Sequence, residues 1–451
     1  MEAREQRAFL KKEIAQKGFP GVSLSLNVPG FPKSNSTVKA FFDLVLHDLK
    51  YTLKAHLVEI HHQDAIEICD AAGDFFIVPC SKGTKALPDL KQVCEDFEVN
   101  HPLGRFIDVD LNDGLGNTVS SGKSKLCFYC NEKPAIECRR ENAHDHDQLR
   151  SFMFSKMAEY CRKEREAAIV KRLTSLALNA LLYEISLTPK PGLVDKFSNG
   201  SHGDMSYRTF IDSSAAISTW FGSLVHAGFS FQESDFTKAL PILRVIGLRM
   251  ESAMFEATEN VNTQKGIIFL MGLSLFACGK LFSENDRFQA EQFRSIISDI
   301  CKDIVKNELV NISQTGKSHG EDIFRKYGFS GARGEAESGF RTVFELGLPQ
   351  LNGTEKLNDE MMIKCFLAIV SKNDDTNILY RRGPIVLSAF QDLCKNALGN
   401  FDEPNYSAVI DFCKNENISP GGSADLLAMT IFVWSVINDP VFTNLFLKND
   451  F

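Results

Sequence analysis

The first part of the chain switches between two hydrophobic periods. Residues 21–27 (GVSLSLN) interleave apolar and polar side chains as a half-buried strand does. Residues 37–53 (TVKAFFDLVLHDLKYTL) place apolar side chains three and four apart, which gathers them on one helix face. Strand-like runs return at 56–62 and 75–79, a helical stretch follows at 86–99, and a last run covers Phe106 to Leu111. The predicted order is strand, helix, strand, strand, helix, strand. That is an α+β domain of the ferredoxin-like, split β-α-β kind.

From about residue 145 only the helical period remains. Helices are predicted near 147–187, 206–227, 235–258, 265–282, 289–309, 336–346, 359–371, 384–397, 405–415 and 424–437, with no strand between them. The expectation is a larger all-α helical domain. The join is placed near residue 165, inside RKEREAA, which lacks Pro and Gly and so suits a helical connection better than a flexible tether. The expected domains are therefore 1–165 and 166–451.

Composition narrows this picture. With 451 residues, 44% hydrophobic and 24% charged, the chain is globular rather than disordered or collagen-like. Its formal net charge is −8 and neither part has a basic excess, which argues against nucleic acid as a partner. The opening MEAREQRAFLKKE does not read as a signal peptide. The uncharged apolar runs 266–279 and 426–438 fall short of the ~18 to 20 residues a spanning helix requires, so both are expected as core helices, without a membrane partner. Twelve cysteines in a chain expected to be cytoplasmic indicate reduced thiols or a metal site.

Several short patterns bear on chemistry. SSGKS (120–124) and QTGKS (314–318) end like phosphate-binding loops, but Asn117 and Asn311 stand where the leading glycine belongs, so both read as loop and helix cap. Cys127-x2-Cys130, with Cys138 and His144, supplies three thiols and an imidazole compatible with a structural Zn²⁺; buried thiols in a knuckle-like loop are the alternative. Asp108 and Asp110 lie two apart and hence on one strand face, a pair suited to hold divalent metal against a triphosphate. Arg105 is then available for phosphate and His101 as a base, against the plainer reading of a solvated strand face.

The helical part holds the densest polar blocks. TPKPGLVD brings Lys190 and Asp195, NGSHGDM His202 and Asp204, NTQKG Asn262 and Lys265, and GARGEA Arg333 and Glu335. DDTN adds Asp374, Asp375 and Asn377, followed by Arg381-Arg382-Gly383, and SPGGSAD adds Gly421, Gly422, Ser423 and Asp425. Several put glycine and polar side chains at a predicted helix start, where free N–H groups favour anions. Together they describe one phosphate-binding, metal-assisted pocket.

On these blocks, with GARGEAESGF and SPGGSADLLA in full, residues 166 to 448 resemble the triphosphoribosyl-dephospho-CoA synthases, block for block and in order. Residues 15 to 155 resemble the citrate lyase holo-acyl-carrier-protein synthases through VSLSLNVPGFPK, HPLGRFIDVD and CFYC with Cys138 and His144. They depart from that family at Ser120 to Lys125, where an Arg-bearing segment is shortened to SSGKSK. Either lysine replaces arginine as the phosphate contact or catalysis in this half is impaired.

The resemblance implies two consecutive reactions. ATP and 3′-dephospho-CoA would give 2′-(5″-triphosphoribosyl)-3′-dephospho-CoA and adenine; a serine of the citrate lyase acyl-carrier subunit would then take the phosphoribosyl-dephospho-CoA unit and release pyrophosphate. Adenine departure through an oxocarbenium-like state needs negative charge, a base and an acid. Asp204, Glu335, Asp374 and Asp375 are the carboxylate candidates and His202 the candidate base. Lys190, Lys265, Arg333 and Arg382 are expected to hold the triphosphate, with Mg²⁺ assisting. Asp195, Asn262, Asn377, Gly421, Gly422, Ser423 and Asp425 complete the expected substrate contacts. For the second reaction the expected set is Asp108 and Asp110 for metal, with Arg105 and His101. Two alternatives stand beside this: a first domain that only docks the carrier on a zinc-stabilised module, and a prosthetic group destined for malonate decarboxylase, whose synthase shares the helical blocks.

Overall fold

The computed structural model describes residues 2–81, 85–120, 122, 125–310, 319–353 and 355–443. The first lookalike phosphate loop falls partly outside these, at Ser121, Lys123 and Ser124, and the second, residues 314–318, lies wholly outside. The chain divides into two compact units at residue 165.

The first unit runs through helix α1 (Glu2–Gln16), strand β1 (Gly21–Leu26), α2 (Ser36–Ala55), β2 (Ile66–Asp70), β3 (Gly73–Pro79), α3 (Leu87–Asn100), β4 (Ile107–Asn112) and the short α4 (Ala135–Arg140). Helix α5 (His146–Ser186) follows, and the division falls inside it. The strands form one sheet in the order β2-β3-β1-β4, every neighbouring pair antiparallel. Val22, Leu24, Phe76, Val78, Val109 and Leu111 build the core with Phe41 and Phe42 of α2, Cys94 of α3 and Met153 and Met157 of α5. Because strand side chains alternate, the other face carries Ser23, Ser25, Phe75, Ile77, Asp108 and Asp110. Leu10 and Ile14 of α1 cover the Phe75 and Ile77 side of that face.

Two expectations change here. Residues 56–62 are not a strand: they make a turn and a lone bridge, Ile60 to Cys80, and the second strand is Ile66–Asp70. As a sheet edge with Glu67 and Cys69 exposed, β2 carries a weaker apolar signal than the turn before it. Helix α1 was not expected, since its apolar stripe is short and set among charges.

The second unit is helical throughout its described residues. After α5 come α6 (Tyr207–Ser218), α7 (Phe221–Ser230), α8 (Ala239–Ala257), α9 (Lys265–Glu284), α10 (Ala290–Ile300), α11 (His319–Tyr327), α12 (Gly331–Glu337), α13 (Leu348–Leu351), α14 (Asp359–Val370), α15 (Thr376–Arg382), α16 (Pro384–Gly399), α17 (Glu403–Glu416), α18 (Gly421–Asn438) and α19 (Pro440–Thr443). The expected 206–227 helix breaks in two, 289–309 is divided between α10, which stops at Ile300, and a π-helical turn at Lys306–Val310, and 336–346 between α12, which begins earlier at Gly331 and ends at Glu337, and a π-helical turn at Val343–Gly347. The short α11 and α15 have too few turns to show a period.

Helix α9 is apolar all round because it is the unit's axis, packed by α7, α8, α10 and α18. Its contact with α7 is close enough to require glycine: a Cβ at Gly279 would sit 2.2 Å from the Val225 carbonyl oxygen, and one at Gly228 would sit 2.1 Å from that of Phe276. Helices α9 and α18 are long and apolar enough to cross a membrane by length and composition, longer than the runs read from the sequence. The most apolar windows of the two are 83% and 61% buried within the protein.

Candidate active sites

In the second unit, the first turns of α9, α12, α15 and α18 open onto one cleft. The loop after α5 closes another side with Lys190 and His202. Of the residues expected from sequence, Lys190, His202, Asn262, Lys265, Glu335, Asp374, Asp375, Asn377, Gly421, Gly422 and Asp425 line this cleft. Sequence reasoning missed Glu184, which also lines it, and chose Arg382 of the arginine pair where Arg381 is the one at the cleft. Glu184 is the last acidic residue of a long helix, with no motif to mark it.

The loop is built to present Lys190. The carboxylate of Asp195, itself buried, accepts the Lys190 N–H at 3.0 Å and those of Phe197 and Ser198 at 2.9 Å each. Asp195 is thus a loop organiser rather than a cleft group. The Lys190 ammonium donates to Glu184 at 2.5 Å, and both side chains are withdrawn from solvent. His202 Nε2 lies 2.7 Å from Ser419 Oγ, and burial with the nearby Arg381 lowers its pKa, leaving the ring neutral at pH 7.

Asp375 caps α15 through the N–H groups of Asn377 and Ile378 and also accepts from the N–H and hydroxyl of Ser423, at 2.8 and 2.9 Å. One fully buried carboxylate therefore ties the starts of α15 and α18 together, and Ser423 serves that tie. Asp425 is different. Burial, with Glu184 and Asp375 as like charges, drives its carboxyl well above the usual carboxylate range. It fits only because residue 266 is glycine: a Cβ there would sit 2.1 Å from Asp425 Oδ2. Gly421 makes the same kind of room for Asn377, whose Nδ2 would lie 2.7 Å from an added Cβ.

Other expected groups are occupied elsewhere. Lys265, at the cleft, pairs with Glu251 at 2.8 Å. Arg333 pairs with Glu308 at 2.9 Å and Glu321 at 3.8 Å, outside the lining. Arg382 Nε donates to the Glu416 carbonyl, while Arg381 reaches the Ser201 carbonyl at 3.1 Å. Asp204 is exposed on the loop before α6 and does not line the cleft. Glu335 accepts the Thr342 N–H at 2.7 Å, and burial raises its pKa. Asp374 is half-buried, and burial raises its pKa too.

In the first unit, Asp108 and Asp110 share the open sheet face opposite Ser25 and Ser23. Lys11 of α1 pairs with Asp110 at 3.1 Å, and Lys125 lies 3.8 Å from Asp108. Burial and the neighbouring Asp110 raise the pKa of Asp108. Lys125 also donates to Glu98 at 2.5 Å, whose other oxygen accepts the Val109 N–H on the sheet edge. His101 is on the opposite, core side, packed with Phe41, Phe97 and Tyr160, its Nδ1 accepting the Leu103 N–H at 3.0 Å. Burial holds its pKa down at about 4. The structure therefore does not bring His101 to the aspartate face. Arg105 donates to the Leu126 carbonyl, one residue before Cys127.

The Cys127, Cys130, Cys138 and His144 ligand atoms all lie within 4.8 Å of one another. Backbone N–H groups of Glu132 and Lys133 hold the Cys130 thiol down at about 6, while burial pushes Cys138 up to about 12.

Residues 170–441 match the family described as ATP:dephospho-CoA triphosphoribosyl transferase (CitG), and residues 1–160 match apo-citrate lyase phosphoribosyl-dephospho-CoA transferase (CitX). A protein from Leuconostoc mesenteroides subsp. cremoris named Protein CitXG is 30% identical over 96% of this chain and 95% of its own length. Its namesake from Haemophilus influenzae is 31% identical over 96% and 95%. The 2-(5″-triphosphoribosyl)-3′-dephosphocoenzyme-A synthase of Pectobacterium atrosepticum is 39% identical over 56% of this chain and 85% of its own length.

Proposed function

The chain belongs to the ATP:dephospho-CoA triphosphoribosyl transferase family, in the form fused behind a citrate lyase transferase unit, and we propose that it carries out both steps of making and attaching the citrate lyase prosthetic group. The observation that carries this reading is the cleft in which four helix N-termini, Lys190 and Arg381 surround Asp425, whose carboxyl is driven well above the usual range by burial. Such a site binds a triphosphate while keeping an acid ready for a departing base.

In the first reaction the 2′-hydroxyl of dephospho-CoA attacks the ribose C1″ of ATP; the new C–O bond forms as the C–N bond to adenine breaks. His202, neutral at pH 7, accepts the hydroxyl proton. Asp425 donates its proton to adenine, and the carboxylate of Glu184 stabilises the cationic ribose. Phosphates sit on the first turns of α9 and α18, close to Lys190 and Arg381. Asp374 is the carboxylate available to hold a Mg²⁺, which would neutralise phosphate charge when bound.

In the second reaction the carrier serine oxygen attacks the α-phosphorus and pyrophosphate leaves. Asp108 and Asp110 suit a hard divalent cation by their oxygen donors and shared face, and such an ion would supply charge neutralisation at the phosphates. Lys125 and Lys11 flank them as phosphate contacts. The ferredoxin-like reading of this unit is supported by its element order and strand order, and twelve free cysteines support a reducing, cytoplasmic setting.

The test is mass spectrometry of purified apo-carrier subunit after incubation with ATP, dephospho-CoA, Mg²⁺ and this protein. The expected result is a carrier heavier by one phosphoribosyl-dephospho-CoA unit, with free adenine and pyrophosphate formed in equal amounts. Adenine without carrier modification would reduce the first unit to a docking module.

A further inference from the structure

The cysteine knuckle supplies no reacting group to either proposed reaction, yet it is assembled as a ligand set. We infer that Cys127, Cys130, Cys138 and His144 bind one Zn²⁺, and that this ion is structural, holding the segment that carries Lys125 and Leu126 against the aspartate face. The inference stands independently of the reactions assigned above.

The geometry is that of a closed tetrahedral site. Zn–S bonds near 2.3 Å in a tetrahedron set two sulfurs about 3.8 Å apart. The Cys130 and Cys138 sulfurs are 3.7 Å apart, and all four ligand atoms fit within 4.8 Å. A disulfide would need its sulfurs at about 2.05 Å. His144 Nε2 is buried with no hydrogen-bond partner among the described residues, and the ring is held edge-on by Tyr129 with centroids 5.1 Å apart. Three thiols and an imidazole fill four positions from protein alone, which leaves no open position for substrate and excludes a Lewis-acid role.

The local chain is folded to make this set. Asn131 takes the left-handed conformation, φ 57°, and its N–H donates to the Cys127 carbonyl at 3.0 Å, turning the chain so that Cys130 faces Cys127. The Cys127 N–H donates to Lys133, and the Ala143 N–H to Cys138, which closes the turn on both sides. Little apolar packing competes with a metal as the source of order. Leu126, Tyr129 and Ile136 are exposed, and Phe128 is the main anchor to the core.

What the ion would hold bears on the neighbouring site. The Lys125 carbonyl accepts the Ala135 N–H at 2.9 Å, and the Leu126 carbonyl accepts from Arg105. Lys125 thus enters the aspartate face directly from the knuckle's base. Its role in this respect is positional, through the backbone.

The experiment uses the full chain purified under reducing conditions without chelator. Elemental analysis should find about one zinc per chain, and Co²⁺ replacement should give the visible absorption of tetrahedral cobalt with thiolate charge transfer. Outer partners of a ligand are each worth roughly 10- to 100-fold in affinity, so Cys130→Ser or His144→Ala should weaken zinc binding by more than about 100-fold. Adenine release, which belongs to the other unit, should stay unchanged, and a far-ultraviolet circular dichroism spectrum equal to wild type should show that the variants fold. With reduced wild-type protein, absence of zinc together with absence of the cobalt spectrum would overturn the inference, as would an unaltered cobalt spectrum in His144→Ala. A Cys130–Cys138 disulfide in protein isolated without reductant, combined with no metal uptake after reduction, would assign the cluster to redox chemistry instead.

Discussion

The two units handle negative charge in opposite ways. In the helical unit Lys190 and Glu184 meet with side chains only 2% and 10% exposed, and burial drives the Asp425 carboxyl well above its usual range. In the α+β unit Asp108 and Asp110 stay 39% and 34% exposed on a strand face, each with a lysine nearby. Enclosed carboxylates acquire unusual proton affinities and suit a small substrate swallowed whole. Open ones keep room for a reacting group delivered on the surface of another protein. The difference is the one expected if, as proposed, one unit takes a nucleotide and the other a carrier protein.

The largest expected effect separates the units chemically. Asp425→Asn should lower adenine release by about 10²- to 10⁴-fold, the usual worth of a general acid, while attachment of ready-made intermediate continues. Chromatography of free adenine reads this directly, and release within twofold of wild type removes Asp425 as the acid.

Next comes stability. Glu184→Ala leaves the Lys190 ammonium buried without its partner and should cost about 3–5 kcal/mol. Lys11→Ala, at the partly exposed pair, should cost less than about 1 kcal/mol. Both tryptophans, Trp220 and Trp434, belong to the helical unit, so their fluorescence during urea unfolding follows the first variant alone. Equal shifts would mean that burial does not distinguish the two pairs.

Asp108→Asn should reduce carrier attachment about 100-fold and leave adenine release untouched, measured by pyrophosphate formation with purified intermediate. A milder contrast lies within the cleft. Arg381→Gln should raise the KM for ATP about tenfold, as loss of a charged hydrogen bond does, whereas Arg382→Gln should change it less than about threefold.

The last effect, seen only in acid, is a pH dependence confined to the α+β unit. Burial lowers His101 from 6.5 to about 4, so the folded state prefers the neutral ring. Its contribution is complete above pH 6.5 and is lost as pH falls from there to about 4. His101→Phe should flatten the acid side of the stability profile followed by circular dichroism, with the tryptophan signal unmoved.

How much of this was legible in the sequence depended on the range of the contacts. The strand at 21–27 and the helix at 37–53 announce themselves because the apolar side chains of each point to one side. Edge strand β2, half-covered, does not, and the more apolar turn before it carries the stronger signal. In the cleft, block motifs pointed to Lys190 and Asp425 because each stands among glycines and prolines. Glu184 sits mid-pattern in a 41-residue helix, and only the fold brings it to Lys190. The choice between Arg381 and Arg382 is a matter of helical phase, which adjacent identical residues cannot reveal. His101, next to a motif, caps the end of α3 and is packed there against Phe41, Phe97 and Tyr160, contacts that the motif does not show.

Gly266 deserves a different reading from the other glycines. Its backbone angle makes no demand; what it provides is the volume that the Asp425 carboxylate occupies, since an added Cβ would lie 2.1 Å from Oδ2. The two positions, 159 residues apart in sequence, therefore behave as one inherited character. Among descendants of this chain a larger residue at 266 should be found only where 425 has shrunk, and those lineages should have given up adenine release while keeping the fold.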